Sequence, residues 1–126
     1  MFNKTPLFIK VYKNEIEIKK LKDFESIKRE SNKPFSSERL LIADFHVAEE
    51  FIRSLIDELL SDAGFFSSGI VIIIQAMELY EGGLSSVERR TYRDLGEHLG
   101  ASTTILCDGS ETITNQGALA RLEKLN

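Results

Sequence analysis

Asp44, Glu78, Asp108 and Glu111 are the residues with which this chain could do hydrolytic chemistry. A metal-dependent hydrolase gathers several carboxylates at strand ends and holds two cations about 3.5–4 Å apart. Asp108 and Glu111 follow a β-branched stretch and carry that alternative, in which alanine at either would abolish activity. Each carboxylate also has a plainer role: Asp44 as a helix N-cap, Glu78 as a residue leaving a strand, Asp108 as half of a turn. His46 and His98 lie far apart and in no metal-ligand spacing, so no metal site is expected from them. Ser85 and Ser86 lack the glycine-flanked setting of a nucleophile. Glu81-Gly-Gly83 has no phosphate-binding Lys or Thr and reads as a turn. Neither a catalytic residue nor a cofactor is expected from these groups.

What remains is surface chemistry. Glu88, Arg89, Arg90, Arg93, Asp94 and Glu97 alternate in sign along one helical stretch, a pattern that suits a solvated face or a protein partner. Phe65 and Phe66, in a loop, form a second candidate contact unless both rings fold back on the preceding helix. A net charge of −4 over 126 residues argues against nucleic acid, because phosphate binding needs a clustered positive surface. The single cysteine, Cys107, excludes an internal disulfide framework and suits a reducing compartment. It follows Ile105-Leu106 and is expected to be an inert core thiol. No apolar run approaches the ~20 residues of a membrane span, and the N-terminus lacks a signal-peptide core. The expected location is the cytoplasm.

The element that must position all of this is Gly69-Ile-Val-Ile-Ile-Ile-Gln-Ala-Met77. Five consecutive β-branched aliphatics leave no polar side, so the stretch predicts a central strand covered on both faces and paired with parallel neighbours. Leu7–Tyr12 and Glu15–Lys19 alternate around a Lys13-Asn14 turn and predict a hairpin, with Leu7, Ile9, Val11, Ile16 and Ile18 facing the core. Residues 24–30 predict a third, charged strand at the sheet edge, 31–37 a loop, and 39–43 a short extended lead-in.

Asp44 then caps a helix to about Ser61, with Ala48, Phe51, Ile52, Leu55, Ile56 and Leu59 as its apolar stripe. Gly64 suits the left-handed residue that would close it. Ser85-Ser-Val-Glu88 matches a capping box for a second helix ending at Gly100, with Val87, Thr91, Leu95 and Leu99 on its narrow apolar stripe and Tyr92 to one side. Residues 103–107 predict another strand and 114–125 a final helix carrying Leu119, Leu122 and Leu125. The order β-β-β-α-β-α-β-α implies an α/β domain over residues 1–126, a mixed five-stranded sheet with helices on its faces and right-handed crossovers.

Several of these pieces occur together in a known family. Ile42-Ala-Asp-Phe45, the central strand, Ser86-Val-Glu-Arg-Arg90 and the Gly100-Ala101 stop resemble, in order and spacing, MreB, the bacterial actin-like rod-shape-determining family. The likeness covers most of this chain but only the first subdomain, IA, of such a protein. It implies an actin-like, ribonuclease-H-like layout and an origin in an ATPase that binds ATP and Mg²⁺ between two domains.

In that family the first hairpin carries an Asp-Leu-Gly-Thr phosphate loop, whose glycine admits backbone N–H groups to the phosphates and whose Asp orients the metal. Laid over it, this chain has Lys10 at the Asp position and Tyr12 at the Gly position. The family's later Glu-Glu-Pro stretch corresponds to Asp108–Thr114, which keeps one acidic position. The resemblance therefore implies a non-catalytic interaction or assembly factor of the cell-shape machinery. Its partners would be MreB-type filaments or a second copy of itself, with the helix of Arg89, Arg90 and Arg93 near contacts between protofilaments.

Overall fold

The computed structural model describes residues 4–61 and 69–124. All eight anticipated elements are present in the anticipated order. They are β1 (Thr5–Tyr12), β2 (Glu15–Lys20), β3 (Ser26–Glu30), α1 (Phe45–Leu60), β4 (Ile70–Ala76), α2 (Ser86–His98), β5 (Ala101–Asp108) and α3 (Asn115–Glu123). The five strands form one mixed sheet in the order β3-β2-β1-β4-β5. β2 runs antiparallel to β1 and β3, while β1, β4 and β5 are mutually parallel.

β4 owes its place between β1 and β5 to its composition. Ile72 and Ile74 point to one face and Val71 and Ile73 to the other, all buried. A strand with two apolar faces is stable only where both are covered, and each such side chain contributes about 1.5–3 kcal/mol by burial. The first face joins Leu7, Ile9 and Val11 of β1 and Ile16 and Ile18 of β2 to α1 and α2. From α1 come Ala48, Ile52, Leu55 and Ile56 of the anticipated stripe, joined by Leu60, while Phe51 and Leu59 are only partly buried; from α2 come Tyr92 and Leu95. The second face is smaller: Phe8, Val71, Ile73 and Cys107 lie under Ala118 and Leu122 of α3.

The helix starts follow their caps. Asp44 accepts the Val47 N–H at 3.1 Å and opens α1. Ser85 Oγ accepts the Glu88 N–H at 3.1 Å while Glu88 Oε1 accepts the Ser85 N–H at 2.9 Å, the reciprocal pair read from the sequence. Thr114 caps α3 through the Gly117 N–H at 2.9 Å. Gly100, at φ 91°, ends α2 in the left-handed region that glycine enters without a side-chain clash. Gly64 and Leu125 lie outside the described residues.

Three expectations need correction. The third strand begins at Ser26, because Phe24 turns at φ 64° and leaves its ring exposed. Lys20 holds that turn, its ammonium 2.9 Å from Asp23 and 3.0 Å from Glu25. Residues 39–43 form no strand, although Leu41 and Ile42 are buried. The 31–37 loop is present as anticipated, and its Phe35 is 1% exposed and packs 6.2 Å, centroid to centroid, from Phe51. Finally, the inward side of α2 is Tyr92, Leu95 and Gly96, with Leu99 buried just beyond, so Val87 is turned out to 73% exposure.

Candidate functional site

The β1–β2 turn is built like a hub. Asn14 takes φ 54°, in the left-handed region that Asn enters more readily than most residues. Its Oδ1 accepts the Phe35 N–H at 2.9 Å and the Ser36 N–H at 2.8 Å, and its carbonyl accepts the Ser31 N–H at 2.9 Å. Its own N–H donates to Ser36 Oγ at 2.9 Å, and the Ser36 hydroxyl donates to the Leu41 carbonyl at 2.6 Å. On the other side, the Lys13 N–H donates to Glu78 Oε2 at 2.8 Å. Both N–H groups of the turn therefore already have acceptors inside the chain. Glu78 is fixed by that bond as much as by its position past β4.

Behind the turn, Lys10 stands opposite Glu17 of β2 and Gln75 of β4. Its ammonium lies 5.2 Å from the Phe8 ring centroid. Partial burial, helped by the nearby Lys19 charge and against the pull of Glu17, lowers the Lys10 pKa. Tyr12 lies under the Lys28 ammonium at 4.6 Å, and burial followed by Glu17 raises its hydroxyl pKa. Two cation–ring contacts, Lys10 with Phe8 and Lys28 with Tyr12, thus lie beside the turn.

Each of the carboxylates singled out in the sequence is engaged by a partner inside the chain. Asp44 caps α1 and Glu78 holds the turn. Asp108 accepts from the Ser110 hydroxyl and, at 2.9 Å, from the Ser110 N–H, which together hold its pKa below the usual range. Glu111 is clamped by both terminal nitrogens of Arg121 at 2.9 and 3.2 Å, and that pairing lowers its pKa. No group of three His, Cys, Asp or Glu among the described residues is placed to hold a metal ion. His46 is exposed beside Glu50, and His98 stacks edge-on to Phe45 at 5.3 Å.

Gln75 is a structural residue that the sequence reading passes over. It is 1% exposed, and its amide donates to the carbonyls of Asp108 and Glu111, each at 2.8 Å. One buried amide thereby pins the β5–α3 loop to β4. A Gln at the end of an apolar run is the available signal, since a buried polar group demands partners.

Cys107 is buried, its Sγ 3.5 Å from the Ile74 carbonyl. Burial pushes its thiol up to about 11, outweighing the nearby Arg121. At pH 8 a disulfide reagent is expected to label the native thiol on the order of 100-fold more slowly than a free cysteine, for want of thiolate. Labelling at the free-thiol rate would contradict this burial. Because the folded pKa is raised, the thiol's contribution to stability is complete below about 8.5 and lost as pH rises through about 11.

The α2 surface divides more finely than its charges suggest. Glu88 belongs to the capping box. Arg89 is half-buried, and the electrostatic pull of its guanidinium reaches Asp108. Arg90, Arg93 and Glu97 are exposed on the outward side, with Arg90 only loosely paired to Asp94 at 3.8 Å. Beside them, Val87 and Leu40 are both exposed and line a cleft of about 40 Å³ with Leu41, Ile42, Thr91 and Tyr92. Arg53 of α1 anchors the far end, donating to the His98 carbonyl at 2.5 Å and pairing with Glu49 at 2.7 Å. Phe65 and Phe66 lie outside the described residues.

The geometry defines a mixed α/β sheet protein with an internally bonded hairpin turn and one outward helix that mixes charge with exposed aliphatics. The chain belongs to the family of the Escherichia coli (strain K12) protein described as "Uncharacterized protein YjaA". The two are 32% identical over 93 residues, spanning 71% of this chain and 72% of that protein. No protein-family model matches the chain, and no solved structure does. No helix among the described residues is long and apolar enough to cross a membrane.

Proposed function

We propose that this chain is a non-catalytic binding module of actin-like, ribonuclease-H-like layout that works through the outward side of α2. The sheet order β3-β2-β1-β4-β5 with β2 alone reversed supports the layout. The observation that carries the non-catalytic reading is the β1–β2 turn. Its two N–H groups are engaged by Glu78 and Ser36, and Lys10 and Tyr12 flank it. A phosphate approaching there would have to displace two internal hydrogen bonds and would find no carboxylate on β1 to orient a metal.

The partner follows from the MreB resemblance alone: a filament of the cell-shape cytoskeleton, met by Val87, Leu40, Arg90, Arg93 and Glu97. A cleft this small, lined by the exposed Val87 and Leu40 beside charged residues of α2, suits a protein side chain better than a small molecule. Pelleting with polymerised MreB tests this. The wild-type chain is expected to co-sediment, and the Arg90→Glu/Arg93→Glu variant to bind at least about tenfold more weakly, ~1.4 kcal/mol. A wild-type chain that stays in the supernatant, or a variant that pellets equally, contradicts the α2 assignment.

A further inference from the structure

The two edges of the sheet are unlike. β3 is five residues long and ends in Lys28, Arg29 and Glu30, charges that discourage a further strand from pairing. β5 is eight residues long, Ala101-Ser-Thr-Thr-Ile-Leu-Cys-Asp108, with no proline and no charge before its last residue. Among the described residues only β4 pairs with it. Ile105 packs against the α3-side core and Leu106 against the α1–α2 core, yet both stay half-exposed. A long neutral edge with partly uncovered aliphatics on both faces is a template for another strand.

We propose that the strand it accepts is β5 of a second copy, joined antiparallel about a two-fold axis at Thr104. The register is self-complementary. Thr103 faces Ile105, Ser102 faces Leu106, and Ala101 faces Cys107, so no charge opposes its like. A strand added at the free edge would lie beside Ile105 on one face and Leu106 on the other. α2 packs over β5 and so flanks the joint, and its Arg89, Arg90 and Arg93 are balanced by Glu88, Asp94 and Glu97. Two copies of that helix therefore meet with no net repulsion. The product is a continuous ten-stranded sheet with an isologous, closed interface. The inference goes beyond the binding role given to α2 and stands without it.

A joint of one strand pair buries less than the ~1,200 Å² of a standard interface, so the dimer is expected to dissociate on dilution. Sedimentation of the full chain from about 1 µM to about 1 mM should show mass rising from one chain toward two. Ser102→Lys/Thr103→Lys, checked for fold by circular dichroism, should remain monomeric throughout. In a second test, Thr103→Cys chains are mixed with Ile105→Cys chains, both carrying Cys107→Ser. Directly opposed residues in this register lie about 4.5–5.5 Å apart at Cα, within disulfide range. The mixture should therefore form a mixed disulfide at least about tenfold faster than either chain alone. A wild-type monomer at about 1 mM, a folded lysine variant that still dimerises, or a mixture that cross-links no faster than its parts would each overturn the proposal.

Discussion

Gly96→Ala should lower the stability of this protein by about 1–3 kcal/mol, although the same change in an open helix would raise it by about 1 kcal/mol. A Cβ at Gly96 would lie 2.7 Å from Thr104 Cγ2 and closer still to its Oγ1. The atom cannot be accommodated while α2 rests on β5. Thr104 Cβ would itself lie 2.9 Å away, so a new Thr104 rotamer alone does not clear the contact and the helix must lift, uncovering Leu95 and Tyr92. For a chain of this size the loss corresponds to roughly 4 °C in melting temperature per kcal/mol. Thr104→Ala should recover more than half of the loss in the double variant, because the contact is pairwise and the cycle isolates it. A Gly96→Ala variant more stable than wild type would mean that α2 stands further from the sheet.

Asn14→Ala is the second large effect, expected at about 2–4 kcal/mol. It removes the acceptor for the Phe35 and Ser36 N–H groups and places an alanine at φ 54°. The left-handed conformation costs about 1–2 kcal/mol for such a residue, and an orphaned buried donor about 1–3 kcal/mol. The two sources can be separated. Asn14→Gly relieves the backbone and still loses the acceptor, whereas Asn14→Asp keeps both. Urea unfolding should therefore rank the stabilities Asp above Gly above Ala at an unchanged slope. A glycine variant as stable as the aspartate would show that the Phe35–Ser36 bonds contribute little.

These two positions also mark where the sequence stops being informative. Periodicity places most elements, because it is a local signal: the five aliphatics of β4, the alternation of β1 and β2, and the three-and-four spacing of α1 need no partner to be read. Caps are local too, and Asp44 and Ser85 act as anticipated. The residues missed are those whose meaning lies across the fold. Phe35 looks like a loop residue until Asn14, 21 positions away, fixes its backbone and Phe51 covers its ring. Gln75 looks like the frayed end of an apolar run until two carbonyls more than 30 residues on are brought to it. Val87 fits an inward stripe by its spacing, but the stripe is narrow and Gly96 lets the helix settle on another side.

The same distinction bears on the likeness to MreB. Its pieces, Ile42–Phe45, Ser86–Arg90 and Gly100-Ala101, lie at the start of α1, the start of α2 and the junction of α2 with β5. In this chain they cap and terminate helices. Among the four carboxylates, likewise, the strand-end positions were legible, but their partners were not. Ser110 and Arg121 engage Asp108 and Glu111 from the loop and from α3.

The central proposal is that the β1–β2 turn, whose Lys13 and Asn14 N–H groups are bonded to Glu78 and Ser36, does not take a nucleotide. Amide resonances of an isotopically labelled chain, followed while Mg²⁺ and ATP are raised to millimolar concentration, test it directly. The account predicts that the Lys13 and Asn14 signals stay in place, held by Glu78 and Ser36. Saturable shifts centred on those two amides, with Lys10 and Tyr12 moving alongside, would contradict it.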